Sequence, residues 1–552
     1  MAMTSWIVWA STALIGYLVY HQSAAFTQKR RRKRLPPGPK PLPILGNMRD
    51  LPPNDGTPEY QHWLQHKDQY GGISSVTVLG MTLVIIHDKK AAHELLETMS
   101  SKTSGRPTNI MANKLCGYES IVLCQGYTPT FHRCRRYLHR ELGTKVSAAQ
   151  FRGVQAIEVN RQLVRALNEP GKWLEHFKTT AGATVLRMAY GYIIEPHQPD
   201  PLVDLTERMM AEFSLAAVPM AWVVDLIPPL QYLPESFPGA TFKKTARKWR
   251  KSIQATAYIP YRFVRRQMAA ASTTSAPTYR PSYVSKLVQQ LKRGDEEEGH
   301  RQNVTLEPED EQAIIWTAAS LYGAAADTTV ITLTTFTLAM IQFPHVQRKA
   351  QEEIDRVVGT GRLPSFDDCD QLPYVNAVVK EALRWWPIAP MGFPHTATED
   401  IEYRDLHIPK GAFLLPAVWW FLHDPEVYPD PEIFDPDRFL PPRSEPDPTT
   451  EAFGYGRRRC PGRFFADASL YLNIAQSLAA FNIRKAVGAD GKEIEVNVKP
   501  KPGVLTYPTE FTFHVEPRSE QHVQLIRQLE RQHPWEASDA GLLESVDDFK
   551  DE

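Results

Sequence analysis

Cys460 is the residue of this 552-residue chain whose surroundings point most directly to chemistry. It stands in Phe453-Gly454-Tyr455-Gly456-Arg457-Arg458-Arg459-Cys460-Pro461-Gly462, one sulfur among glycines, arginines and aromatics. A thiolate held on iron needs a depressed pKa, and the metal, backbone N–H donors and nearby positive charge each supply it. Glycines at 454, 456 and 462 permit tight turns around the sulfur where a Cβ would interfere. From Arg463 to Ala480 apolar residues recur at helical spacing, predicting a helix whose N-terminus faces the sulfur and favours its anionic form. The loop therefore suits thiolate ligation of haem iron. For a cysteine taken alone, a buried thiol in a Gly/Arg-rich turn is the commoner explanation.

A second chemical cluster lies upstream, in Gly323-Ala324-Ala325-Ala326-Asp327-Thr328-Thr329. The apolar run Gln312 to Ile341 predicts one long helix with this segment at its middle. Small residues there let a flat cofactor approach the backbone, and an acid beside hydroxyls relays protons in an apolar site. A helix irregularity that satisfies its own polar groups is the plainer alternative.

Two further motifs fall between these clusters, in order: Glu381-Ala382-Leu383-Arg384 and Pro436-Asp437-Arg438-Phe439. Glu and Arg at i, i+3 usually make a solvated helix pair of a few tenths of a kcal/mol. Their position roughly 75 residues before Cys460, with P-x-R-F in between, gives them weight. F-x-x-G-x-R-x-C-x-G, E-x-x-R, P-x-R-F and the Asp327-Thr328-Thr329 helix together resemble the cytochrome P450 family, over roughly residues 36 to 518. The texture around Leu422-His423-Asp424-Pro425 resembles the fungal, secondary-metabolism branch of that family.

The resemblance implies a mainly α fold with small β-sheets, the cytochrome P450 fold, preceded by one N-terminal transmembrane helix. It implies a haem (heme b) cofactor with Cys460 as axial thiolate and Arg458, Arg135, His395 and Phe453 as cofactor-binding residues. Asp327 and Thr328 become proton-delivery residues, and Glu381, Arg384 and Arg438 a buried ion-pair network in which a forked guanidinium is not replaceable by lysine. Leu321, Ala324, Ile388, Ala389, Met391, Val504 and Leu505 would wall a substrate pocket, with Thr506 and Tyr507 as polar anchors; core packing explains the same residues equally well. Two departures stand out. Ala325 occupies a position where the family usually has glycine, narrowing the oxygen groove by a methyl. In Tyr127-Thr128-Pro129-Thr130-Phe131-His132-Arg133-Cys134-Arg135-Arg136, Phe131 replaces the tryptophan of a W-x-x-x-R helix and brings no N–H for a haem propionate.

The elements that must position these residues form one large domain behind a leader. Residues 1–28 carry no charge, and Trp6 to Tyr20 is largely apolar with aromatics near both ends, as in a membrane anchor helix. Lys29 to Arg34 follows as a basic run, which keeps the remainder cytoplasmic and leaves the Asn303-Val304-Thr305 sequon unmodified. A cleaved signal peptide would place its positive charge first; nuclear localisation is a minor alternative for the basic run. Residues 29–47 read as a basic and proline-rich hinge, 48–518 as the haem-thiolate monooxygenase domain, and 519–552 as a C-terminal extension. A strand pair is expected near Ile73 to His87, a proline-rich break at Pro219 to Gly239, a surface loop at Ala269 to Pro281 and an acidic turn at Gly294 to His300. The break is either a membrane-facing substrate entrance, as the family implies, or core packing under a loop. The extension reads as a short amphipathic helix on Val523, Ile526 and Leu529 and a solvated acidic tail, with a partner contact as the alternative.

Composition sets outer limits. Hydrophobic residues at 42% suffice for a large core, and a formal net charge of zero gives no support to a nucleic-acid partner. Five cysteines, an odd number without a C-x-x-C pair, argue against a disulfide framework or zinc site. The implied activity is a monooxygenase that uses O2 and NADPH electrons from a cytochrome P450 reductase, single-pass in the endoplasmic reticulum membrane with its catalytic domain cytosolic. Its substrate would be a small apolar molecule, terpenoid or polyketide-like. Two rivals stay open: a haem-thiolate isomerase or dehydratase independent of a reductase, and a catalytically inactive haem-binding protein.

Overall fold

The computed structural model describes residues 34–53, 55–217, 222–272, 279–297 and 306–543. The anchor helix expected over residues 1–28, the sequon and the acidic end at 547–552 lie outside them. Helices of eight or more residues begin with α1 (Glu59–Tyr70), followed by the hairpin β1 (Ile73–Val78) and β2 (Met81–Ile86). Then come α2 (Pro129–Leu142), α3 (Arg152–Asn168), α4 (Trp173–Tyr190), α5 (Pro201–Ala216), α6 (Thr241–Ser272) and α7 (Tyr283–Glu297). The central helix α8 (Pro308–Gln342) leads to α9 (Pro344–Val357) and α10 (Pro373–Trp385). Strands β3 (His395–Thr396), β4 (Ile401–Tyr403), β5 (Leu406–Ile408) and β6 (Phe413–Pro416) precede α11 (Arg463–Ala480), β7 (Phe481–Arg484), β8 (His514–Pro517) and α12 (Glu520–Gln532).

One sheet has the order β1-β2-β6-β3, with β2 and β6 parallel and the other neighbours antiparallel. The pairs β4–β5 and β7–β8 stand apart. The expected strand pair near Ile73 is thus the β1–β2 hairpin, turned by Leu79 and Gly80 at positive φ. The chain is mainly helical with small sheets, as expected.

Local chemistry explains the helix starts. Pro308 opens α8, and Glu309, Asp310 and Glu311 in its first turn complement the helix dipole. Asp200 caps α5 by accepting from Leu202 N at 2.9 Å, and Thr128 caps α2 by accepting from Phe131 N at 3.3 Å. Helix α8 is long and apolar enough to cross a membrane. Its flanks, however, are covered by α4, α2 and α11, and residues from Ala313 to Ile341 are largely buried. It is a core helix.

Three expectations differ from the structure. Helix α6 continues to Ser272, into the segment read as a loop from 269, because Ala269-Ala270-Ala271 is strong helix-forming sequence. Helix α7 runs through Gly294 to Glu297, into the expected acidic turn. The described part of the C-terminal tail is not solvated. Glu536 pairs with Arg161 at 3.0 Å and Arg187 at 2.5 Å, Trp535 covers Arg165 at 4.9 Å, and Asp539 binds Arg280 at 2.8 Å. The proline-rich hinge is likewise docked: Ser75 donates from N and Oγ to the Pro37 and Pro36 carbonyls, each at 2.7 Å.

Candidate functional site: a thiolate loop facing a cationic cluster

The Cys460 loop is closed on itself. Cys460 N donates to Phe453 O at 2.8 Å and Arg458 N to Tyr455 O at 3.0 Å. Tyr455 anchors the loop from below, 1% exposed, donating its hydroxyl to Glu451 at 2.6 Å. Gly456 sits at φ 49°, where a Cβ would run into the Leu96 carbonyl oxygen. The other two glycines do less than their spacing suggested. Added Cβ atoms at Gly454 and Gly462 would meet nothing within 4 Å, although Gly454 keeps a positive φ of 72°. Gly462 instead directs its N–H at the Cys460 sulfur and immediately precedes α11. Burial pushes the thiol pKa up, opposed by that N–H and by Arg135 and Arg463.

Three guanidiniums converge beside this loop. Arg135, on α2, donates to Arg459 O at 2.8 Å. Arg458 donates from Nε and Nη2 to Ser104 O at 2.9 and 2.7 Å and from Nη2 to Gln125 O at 2.6 Å. Arg106 donates to the carbonyls of Leu123, Phe393 and Pro394 at 2.7–2.9 Å. Sequence reasoning missed Arg106. Its signal was the compact Gly105-Arg106-Pro107, where Gly105 pairs with Thr396 through both backbone groups and a Cβ would strike the Thr396 side chain. None of the three has a carboxylate within ion-pair distance among the described residues. Burial and the neighbouring guanidiniums push Arg458 down to about 8, and burial pushes Arg106 down to about 10.

His395 is 4% exposed, and its Nδ1 donates to Thr103 O at 2.9 Å. Burial, with Arg106 beside it, holds its pKa down at about 3. The neutral ring thus offers Nε2 as an acceptor, so His395 can donate to an anion only as an imidazolium. Buried positive charge without a partner is costly and is relieved by an anionic ligand. Arg106, Arg135, Arg458 and Cys460 are sunk among protein atoms yet only half-buried, so they border an interior space. A thiol ligand facing carboxylate-binding guanidiniums fits haem, with its iron and two propionates.

Helix α8 opens over part of its length. Residues flanking 324–329 are buried, whereas Ala324 is exposed and Ala325 to Thr329 are half-buried. Ala325 and Ala326 pack with Phe464 against the same core cluster as Phe131 and Cys134. Thr328 Oγ1 donates to Ala324 O at 2.9 Å rather than to Asp327. Burial raises the Asp327 pKa, and the Tyr507 hydroxyl opposes that rise. Among the expected pocket residues Leu321 is buried, and Ile388, Met391 and Leu505 are half-buried. Ile388 is tied to the 504–507 loop by Thr506 N donating to its carbonyl at 2.8 Å. Met391 also packs against the cluster around Trp63 and Val76.

The Glu381 network lies fully inside. Arg384 grips Glu381 with two N–H groups at 2.7 and 2.8 Å, and Arg438 Nε reaches it at 3.2 Å. Their other donors go to the carbonyls of Leu422, Pro431, Asp430 and Ile433, and Arg438 Nη1 also reaches the Glu445 carboxylate at 3.4 Å. They thereby fix the segment that leads into the cysteine loop.

Comparison with known proteins agrees with this geometry. The sequence profile of the family Cytochrome P450 matches residues 36–513. Cytochrome P450 monooxygenase CLM2 of Gibberella zeae is 49% identical, covering 96% of this chain and 98% of its own length. Multifunctional cytochrome P450 monooxygenase af510 of Aspergillus fumigatus is 46% identical over 96% and 97%. O-methylsterigmatocystin oxidoreductase of Aspergillus flavus is 37% identical over 97% of each.

Proposed function

This chain belongs to the cytochrome P450 family and is a monooxygenase, and from that premise we propose that it uses O2 and NADPH electrons, delivered by a membrane-bound reductase, to hydroxylate or further oxidise a small apolar secondary metabolite, terpenoid or polyketide-like in class. The observation that carries this is the meeting of the Cys460 loop with three guanidiniums that have no carboxylate within ion-pair distance among the described residues, together with the opened stretch of α8.

Haem bound through Cys460 supplies oxygen activation, with thiolate donation favouring O–O cleavage. The chain's own part is to hold, orient and exclude. Cys460 surrenders its thiol proton on ligation, which the Gly462 N–H and the positive end of α11 favour. Arg106, Arg135 and Arg458 bind carboxylates through charge-assisted hydrogen bonds. Asp327, whose carboxyl pKa burial raises, passes protons at its carboxyl oxygen, and Thr328 joins it by rotating its hydroxyl away from Ala324 O. Leu321, Ala324, Ile388, Met391 and Leu505 exclude water and favour an apolar substrate. A relative named multifunctional and another named for O-methylsterigmatocystin support repeated oxidation of a preformed small molecule. Residues 1–34 support a single-pass anchor in the endoplasmic reticulum membrane.

An intact Asp327-Thr328 pair counts against the isomerase and dehydratase alternatives. The test is the reduced, carbon-monoxide-bound difference spectrum of microsomes containing the full chain. We expect a thiolate-type Soret band that Cys460→Ser abolishes, followed by NADPH consumption once reductase and substrate are added. A Soret band unchanged in Cys460→Ser would sink the ligand assignment.

A further inference from the structure

Phe131 stands where a hydrogen-bond donor to the cofactor was expected, and its own contacts suggest a different task. The Arg458 guanidinium carbon lies 3.7 Å from the centre of its ring. The ring is 2% exposed, and Thr128 fixes its backbone at the first turn of α2 by accepting from Phe131 N at 3.3 Å. The carbonyls of Ser104 and Gln125 hold two edges of the same guanidinium. Carbonyls restrain a planar cation within its plane but do little against tilting. A stacked ring face does the opposite.

We propose that Phe131 is a positioning residue that acts through Arg458: it fixes the tilt of the guanidinium so that its one remaining Nη1 N–H, the other donating to Val122 O at 3.4 Å, meets a haem carboxylate without rearrangement. This rests on the proposed haem function of the site. The crowd of positive charge makes such a restraint necessary. Arg106 and Arg135 both repel Arg458, and no carboxylate among the described residues pulls against them. The ring's negative face is then a neutral group that attracts the cation and leaves its charge free for the ligand. The missing tryptophan N–H is thereby compensated through the arginine.

The experiment measures haem loss from the purified holoprotein to excess apomyoglobin, alongside the Soret spectrum. Phe131→Leu and Phe131→Met keep a large apolar side chain, three heavy atoms smaller, and remove the ring face. Each should release haem roughly fivefold faster than the parent, as expected for a cation–π contact. Phe131→Trp, which retains a ring face, should stay within about twofold of the parent. In an Arg458→Lys background, where the planar partner is gone, Phe131→Leu should change release less than about twofold. Parental release rates in Phe131→Leu and Phe131→Met would overturn the proposal. So would an undiminished Phe131→Leu effect in the lysine background, or a tenfold slower release from Phe131→Trp, which would assign retention to the N–H. A parent protein that takes up no haem would overturn both this proposal and the function on which it rests.

Discussion

Glu381 holds two guanidiniums on one carboxylate at 0% exposure, and its value to the protein follows from what its loss would strand. Glu381→Ala leaves Arg384 buried without a counter-charge among the described residues and leaves Arg438 with only Glu445, at 3.4 Å. Breaking one partner of such a network costs about 3–5 kcal/mol, so the variant should unfold at much lower urea and accumulate without haem. Thr328 predicts through chemistry instead. Thr328→Ala keeps the fold, since its hydroxyl serves only the Ala324 carbonyl in the same helix, and it should divert electrons to hydrogen peroxide. Peroxide yield per NADPH consumed is the measurement, and unchanged coupling would remove Thr328 from proton delivery. Acid sensitivity is expected from His87, which is 4% exposed and held down at about 4, chiefly by burial and then by His66. Because its folded pKa lies below the unfolded value of 6.5, the unfolded chain binds the extra proton between those values. Its contribution is complete above pH 6.5 and drains away as pH falls toward about 4. By pH 5 the loss is on the order of 2 kcal/mol, so His87→Phe should flatten the decline in urea midpoint between pH 7 and pH 5.

At the scale of elements, what was legible in the sequence was whatever local periodicity or spacing encodes. Helix α8 was readable because its apolar run exceeds any loop, and α11 because it follows the cysteine at helical spacing. The E-x-x-R and P-x-R-F residues meet because the chain, after α10 and the strands β3 to β6, returns at the Pro436–Phe439 turn to place Arg438 on Glu381. Arg106 was not legible, since its partners are carbonyls 17 to 288 residues away and carry no side-chain signature. Neither was the docking of residues 535–539, whose acids read as tail until Arg161, Arg187 and Arg280 converge on them. That strap reaches farther than its own contacts. Asp539 accepts from Ile193 N at 2.8 Å, next to Tyr192, whose hydroxyl donates to the α5 cap Asp200 at 2.8 Å. Helix α5 in turn lays Met209 and Met210 against Gly323 of α8. Asp539→Asn combined with Glu536→Gln should therefore raise amide exchange in residues 191–205 while leaving α9 and α10 protected. Uniform protection across both regions would confine the strap to a passive tail.

The whole molecule carries its proposed membrane attachment in more than one place. The hinge is hydrogen-bonded to β1 through Ser75 and to β5 through His407 N donating to Arg34 O at 2.8 Å, so the anchor would leave the globule at a fixed point and direction. Elsewhere on the surface, the segment between α5 and α6 exposes Tyr232 at 81%, Val223 at 60%, Phe237 at 51% and Ile227 at 50%, beside Leu215 at 59%. Such a concentration of uncovered apolar side chains is unusual on a soluble face and suits a lipid interface. Just beyond it α6 begins with Lys243, Lys244 and Lys248, cations that complement an anionic headgroup layer, while Arg247 is paired with Glu235. If both regions touch the bilayer, removal of residues 1–33 should weaken attachment without ending it. The truncated chain should still float with vesicles containing acidic phospholipid, and high salt should reduce that binding only in part, because the apolar contribution is not screened. Adding Val223→Ser, Ile227→Ser and Tyr232→Ser to the truncation should release it into the soluble fraction with its Soret spectrum intact. A truncated chain that is already fully soluble at low salt would place all attachment in the leader and return the 223–237 segment to the role of a surface loop.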